Sequence, residues 1–290
     1  MIEFVEELAK KATPNSGVYE KDGIRYCSKC DEPKQAWIDW FPDKDGNPTR
    51  NLVPVMCRCD IEQEREDKDR IRQMDFDDAM RSVSLALQTR RDDIRWRFDQ
   101  DDAPDSPIAK TCRRYVEEWD AMKADNMGIL FFGNKGVGKT FYASCIANAL
   151  KAKRVLVGFT SAPNLMNILG KWDKTEIFDA ITRCHLLIID DLGAERGNDY
   201  SGELMYSVID ARYKTGKPTI VTTNNDLEEM RNESEIWRSR IYDRVIEMCP
   251  ITLRMQGESR REGIADARKQ KARELLCASG KWNRRATDGN

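Results

Sequence analysis

One octapeptide, Gly133-Asn134-Lys135-Gly136-Val137-Gly138-Lys139-Thr140, constrains this chain more tightly than any other stretch. It fits G-x-x-x-x-G-K-[ST], a loop whose glycines let successive backbone N–H groups curl around a phosphate. The apolar run Gly128-Ile129-Leu130-Phe131-Phe132 before it reads as a buried strand, and Phe141 to Ala152 after it reads as a helix. Strand, glycine loop and helix in that order aim a helix N-terminus at an anion. All eight residues are candidates for binding a nucleotide, as against the alternative of a glycine-rich turn with no chemistry. The Lys139 side chain can reach the β- and γ-phosphates of ATP, and the Thr140 hydroxyl can ligate Mg²⁺.

The rest of such a site is legible downstream. Four apolar residues, Leu186 to Ile189, close on Asp190-Asp191, the pattern of a buried strand that ends in two carboxylates. Asp190 is expected in the Mg²⁺ shell, and Asp191 stands where many ATPases place a glutamate that polarises the attacking water. The plainer alternative is a solvated turn after a core strand. A third apolar run, Pro218 to Thr223, ends in Asn224-Asn225. Asn224 is the candidate to touch the γ-phosphate or the lytic water, with a turn-capping role as the alternative.

Strands are expected near 128–132, 154–159, 185–190, 218–223 and 250–255, with helices near 139–152, 161–171, 201–215 and 235–247. That alternation predicts an α/β domain with a five-stranded parallel sheet and helices on both faces. Arg238, Arg240 and Arg244 fall on one expected helix, with Arg240 and Arg244 four apart and so on one face. An arginine at a subunit edge could stabilise charge on a neighbour's γ-phosphate, a role that requires self-association. A solvated helix face is the other reading.

Charge does not direct the chain toward polyanions: 48 basic and 50 acidic residues leave a formal net charge of −2, so any nucleic-acid surface must be local. No run of 18 apolar residues occurs, and the start Met1-Ile2-Glu3-Phe4-Val5-Glu6-Glu7 lacks a basic region, so a cytoplasmic protein without membrane contact is expected. Residues 61–126 read as a charged helical linker; the acidic stretch from Asp60 to Met80 is expected to be solvated, either simple surface or a docking face, while a helix near 108–122 puts Tyr115 and Trp119 four apart on one packing face. Segment 127–262 holds the nucleotide domain, and 263–290 is a basic tail. Residues 1–60 carry Cys27-Ser28-Lys29-Cys30 and Cys57-Arg58-Cys59. Paired cysteines at such spacing suit a structural Zn²⁺ held by Cys27, Cys30, Cys57 and Cys59. The single histidine, His185, is remote in sequence, and a redox dithiol remains the alternative.

With these pieces in place, the chain resembles the DnaC/DnaI helicase-loader family of AAA+ ATPases, which includes the IstB transposition helpers. The matching stretches are Gly128 to Thr140, Ile188 to Glu195, Thr222-Thr223-Asn224 and Arg240-Ile241-Tyr242-Asp243-Arg244. The resemblance implies an AAA+ fold without a full lid domain, preceded by a small zinc-binding domain that meets a hexameric DnaB-type helicase. It implies that Arg244 is an arginine finger supported by Arg240, that Arg261 senses bound nucleotide, and that Lys171, Trp172 and Tyr200 grip single-stranded DNA. The function implied is ATP-switched loading of that helicase onto single-stranded DNA, the alternative being a transposition helper on duplex DNA. One departure stands out. Asp191 is one methylene shorter than a glutamate, which suits a slow switch rather than a motor.

Overall fold

The structure, a computed structural model, describes residues 17–40, 42, 44–92, 94–170, 174–194, 199–257, 259 and 268–275. It comprises two compact units, Met1–Asp75 and Phe76–Asn290. In the first, β1 (Val18–Lys21) and β2 (Ile24–Cys27) pair antiparallel. Asp22 and Gly23 between them both have positive φ, 51° and 75°, the backbone of a two-residue turn whose twist matches the strands. A second antiparallel hairpin joins β3 (Gln35–Trp40) to β4 (Thr49–Pro54), with Gln35 opposite Pro54 and Trp40 opposite Thr49. Among the described residues of this unit only Cys27 and Cys57 are buried apolar side chains. Two short hairpins with so little core need another source of stability.

Helix α1 (Arg58–Ala86) carries the boundary between the units. Its first part is the solvated, acidic helix expected from composition. From Phe76 onward the linker expectation needs correcting: Met80, Val83 and Leu87 are buried in the core of the second unit. The spacing 76, 80, 83, 87 is an apolar helical stripe, masked in the sequence by the surrounding charge. Tyr115 on α2 (Pro107–Glu117) and Trp119 on α3 (Trp119–Ala124) are core residues, as the packing face expected of them implies, though on two helices rather than one.

The second unit is built on a sheet of five parallel strands, β5 (Ile129–Gly133), β6 (Val157–Ser161), β7 (Leu186–Leu192), β8 (Thr219–Thr223) and β9 (Ile251–Met255). Their order across the sheet is β6-β7-β8-β5-β9. Alternation along each strand divides the core in two. Leu130, Leu187, Ile189 and Val221 pack beneath α5 (Ala162–Leu169), α6 (Lys174–Arg183), α7 (Asp199–Lys214), α8 (Leu227–Arg231) and α9 (Ile236–Met248), together with the end of α1. Ile129, Phe131, Ile188 and Ile220 pack against α2, α3 and α4 (Lys139–Ala152). Helices α6 and α8 were not anticipated, and a further helical stretch covers 268–275.

The β6 edge is covered rather than left free. The Val157 N–H meets the Met80 sulfur at 3.4 Å, and the Thr89 hydroxyl donates to the Phe159 carbonyl at 2.6 Å. Such covering removes a template for strand addition. Among the described residues, no helix is long and apolar enough to cross a membrane.

Arg212 of α7 is fully buried. It donates to the carbonyls of Ile181 (2.9 Å), Cys184 (2.9 Å), His185 (3.1 Å) and Pro218 (2.6 Å) and to the Thr219 hydroxyl (3.1 Å). The end of α6 and the starts of β7 and β8 are thereby tied to α7. Arg212→Met would leave these acceptors buried without a donor, and should destabilise the protein by about 3 kcal/mol. Urea denaturation checks this; a loss under roughly 1 kcal/mol would show that the carbonyls find other partners.

Candidate functional site

Parallel strands deliver their C-terminal ends to one side of a sheet, and there the sequence-predicted nucleotide residues meet. Gly133 ends β5 with φ 116°, and a Cβ there would lie 2.3 Å from the Met255 carbonyl oxygen of β9. No other residue fits. The loop then turns through Gly136 and Gly138, both at positive φ, while the Val137 side chain points inward to the core. Lys139, the first residue of α4, is only 5% exposed. Its ammonium donates to the carbonyls of Gly133 (2.7 Å) and Asn134 (2.5 Å) and to Asn224 Oδ1 (2.9 Å).

The carboxylates complete a continuous network. The Thr140 hydroxyl donates to Asp190 at 2.9 and 3.1 Å, and the buried Thr222 hydroxyl donates to Asp190 Oδ1 at 2.6 Å. Thr140 and Asp190 therefore face each other as two oxygen donors for a hard divalent cation would. Asp191 sits at φ 56°, left-handed for a residue other than glycine. Its N–H donates to Thr222 Oγ1 at 2.9 Å and its Oδ1 accepts from Asn224 Nδ2 at 3.3 Å. The pairing of β7 with β8 shifts register between Ile189 and Leu192. That irregularity turns Asp190 and Asp191 to two different jobs. Asp190 faces Thr140, and Asp191 faces the cavity with Asn224.

That cavity, about 720 Å³, is lined by Lys135, Gly136, Gly138, Lys139, Thr140, Asp191 and Asn224 on its phosphate side. Its other wall consists of residues the sequence reading missed: Asp92, Arg95, Trp96, Gln100 and Asp102, with Phe141. Residues 94–96 form a strap pinned across α4, where Asn148 donates to the carbonyls of Ile94 (2.6 Å) and Trp96 (2.7 Å) and the Ser144 hydroxyl accepts from the Trp96 N–H (3.1 Å). The Trp96 ring lies 5.6 Å from Phe141, and the Arg95 guanidinium sits 4.4 Å over it. An aromatic and basic wall of this kind suits a flat heterocycle. Irregular backbone carries no periodicity, so only the local composition Ile94-Arg95-Trp96-Arg97-Phe98 could have marked it.

Arg240 and Arg244 of α9 do not line this cavity. Arg240 is exposed, and Arg244 is bound to α7. Lys171, Trp172 and Arg261 lie outside the described residues, as does the side chain of Tyr200, whose backbone falls in the first turn of α7.

In the first unit, Cys27 and Cys30 flank the turn after β2, and Cys57 and Cys59 flank the N-terminus of α1. Their four sulfur atoms lie within 4.8 Å of one another and form no disulfide. A tetrahedral zinc with Zn–S of about 2.3 Å needs sulfurs roughly 3.8 Å apart, so a small contraction suffices and the donor set fits. Asp60 and Lys34 brace the two halves through an ion pair of 3.0 Å, and Asp60 also accepts from the Cys57 N–H at 3.2 Å. Backbone N–H groups of Lys29 and Cys30 bring the Cys27 thiol down to about 7. Burial pushes Cys57 up to about 11, and the neighbouring Cys30 sulfur pushes Cys59 up to about 12.

Comparison with known proteins agrees with this geometry. The model of the family described as IstB-like ATP binding protein matches residues 55–268. The chain is 26% identical over 139 residues to the replicative helicase loader DnaC of Escherichia coli (strain K12), an alignment covering 46% of this chain and 54% of that protein. It thus spans about half the length of that relative. It is 25% identical over 263 residues to the replicative helicase loader DnaI of Bacillus subtilis (strain 168), covering 84% of this chain and 80% of that one. The solved structure of a candidate primosome component of Streptococcus pyogenes serotype M3 superposes with TM-score 0.50 at 19% identity, covering 62% of this chain and 97% of that one. This last likeness speaks to the fold alone.

Two outcomes follow from the geometry. Trp96→Ala should weaken binding of a fluorescent ATP analogue about tenfold, and unchanged affinity would remove the base-wall assignment. Zinc titrated into metal-free protein at pH 7 should release at least two protons, because Cys57 and Cys59 hold theirs at that pH, and affinity should rise with pH. Calorimetry in buffers of different ionisation enthalpy reads the proton count. Release of fewer than one proton would contradict the four-thiolate site.

Proposed function

The chain belongs to the family of IstB-like ATP binding proteins, and from that premise we propose that it is an ATP-controlled adaptor that binds a hexameric DnaB-type helicase and places it on single-stranded DNA. The observation that carries this reading is the similarity to the loader DnaI across 84% of the chain, a stretch longer than the nucleotide-binding unit alone. Lys139 is held by loop carbonyls and Asn224. An incoming triphosphate offers Lys139 stronger, charged acceptors. Thr140 and Asp190 would hold Mg²⁺, whose charge would offset that building on the phosphate oxygens. Asn224, released from Lys139, is free to meet the γ-phosphate, and Asp191 orients the attacking water.

Hydrolysis needs one further positive charge, which Arg244 of a neighbouring copy supplies, with Arg240 beside it. ATP therefore favours side-by-side assembly and hydrolysis ends it. The shorter side chain of Asp191 suits a slow switch. The cysteine module, which Zn²⁺ would crosslink and whose described residues bury few apolar side chains, presents the helicase-binding surface. Lys171, Trp172 and Tyr200 are the proposed DNA contacts, and Arg261 a nucleotide sensor. A transposition helper acting on duplex DNA is the second reading, favoured by the family's IstB-like description.

The full-length protein should co-elute with the DnaB-type helicase of its own host when ATP is present, and should stimulate unwinding from single-stranded circles. Lys139→Ala should abolish nucleotide binding and that stimulation. Failure to co-elute in any nucleotide state would remove the loader reading. ATP-dependent filaments on duplex DNA without single-strand preference would favour the second.

A further inference from the structure

Arg244 does not project freely from α9. Its Nε donates to Asp210 Oδ1 at 3.2 Å, and Nη2 lies 3.1 Å from the same oxygen. Nη2 also donates to the Tyr206 hydroxyl at 2.8 Å, and Nη1 to the Arg240 carbonyl at 3.3 Å. The guanidinium carbon stands 4.7 Å over the Tyr206 ring and 5.6 Å over that of Tyr213. Asp210, Tyr206 and Tyr213 all belong to α7. To reach a phosphate on another chain, Arg244 must leave them.

The surroundings mark this as a releasable hold rather than a permanent strut. Asp210 has a second cation, with Lys214 Nζ 2.7 Å from Oδ2. The carboxylate therefore keeps a charged partner after Arg244 departs, which avoids an orphaned partly buried charge. The Arg244 and Asp210 side chains are 25% and 19% exposed, and Tyr206 and Tyr213 are half-buried, so water can replace what is broken. Arg212, on the same helix, shows the contrast: it is fully buried among neutral acceptors and has no route out. Finally, α7 is the helix that follows β7, the strand that carries Asp190 and Asp191 near its end. The hold on Arg244 is thus built on the next element after the carboxylates.

We propose that Asp210 and Tyr206 are positioning residues that hold Arg244 on its own chain until the nucleotide of a neighbouring copy draws it away. The proposal rests on the reading of Arg244 as acting in trans. Asp210 offers the guanidinium a single carboxylate charge, whereas a γ-phosphate offers more charge and several acceptor oxygens in one place. Only a triphosphate-bound neighbour outcompetes the carboxylate. Hydrolysis is thereby tied to contact between ATP-loaded copies, and isolated chains stay silent.

The test is ATPase activity of the full chain against protein concentration at saturating Mg-ATP, for Asp210→Asn and Tyr206→Phe. Both variants should reach half-maximal activity at a concentration at least threefold lower than the parent, with the KM for ATP unchanged. Tyr206→Phe keeps the ring and removes only the hydroxyl, so it remains informative if Asp210→Asn folds poorly. A merely structural role would lower melting temperature without moving this curve leftward. Curves that stay in place or move to higher concentration would overturn the hold. Adding Arg244→Ala to either variant should abolish the concentration-dependent activity. If Arg244→Ala alone leaves that activity intact, the trans reading itself falls, a result distinct from failure of the hold.

Discussion

The interaction on which the nucleotide site depends is the buried ammonium of Lys139. A cation at this depth must be surrounded by acceptors, and the fold supplies them from two neighbouring strands: carbonyls at the end of β5 and the Asn224 side chain just beyond β8. From Asn224 the hydrogen bonds pass to Asp191, then through Thr222 to Asp190, and back to Thr140 beside Lys139. The circuit closes only because β5 lies next to β8, and β8 next to β7. A different strand order would keep each motif intact and separate their side chains. In it the Lys139 ammonium, the Thr140 hydroxyl and Asn224 Nδ2 each donate to a neutral or singly charged acceptor, which the more highly charged phosphates of a nucleotide could outcompete.

The positive charges of the same unit divide by the partners they meet. Lys139 faces a cavity, and its acceptors can be exchanged for phosphate. Arg212 is surrounded by carbonyl and hydroxyl oxygens and acts as internal scaffolding. Arg244 is intermediate, partly exposed and paired with an acid that has another cation to hand. These differences are set by burial and by the second partner of the acceptor, neither of which is visible in residue type.

That distinction explains what could be read in advance. All five sheet strands fall within a few residues of their expected positions: β5 and β7, buried on both faces, are continuous apolar runs, while the edge strand β9 shows the alternation of a half-buried strand. The phosphate loop and the two carboxylates were legible because their chemistry demands particular residues at particular spacing. The four cysteines likewise converge as their spacing implied. What stayed hidden was set by tertiary context. The stripe Met80, Val83, Leu87 was submerged in charge, the strap around Trp96 has no period, and Arg212 looks like any surface arginine at the end of a helix. Asp210 and Tyr206 are unremarkable until α7 and α9 are laid together.

The central claim is that one chain holds an incomplete hydrolytic site, with its last positive charge contributed by a neighbour. Mixing two inactive full-length proteins, Lys139→Ala and Arg244→Ala, tests this most directly. The first lacks a functional phosphate loop and retains the arginine; the second has the reverse. Recovery of ATPase activity in the mixture, rising with the fraction of mixed contacts, is the expected result. A mixture no more active than the two proteins apart would contradict it.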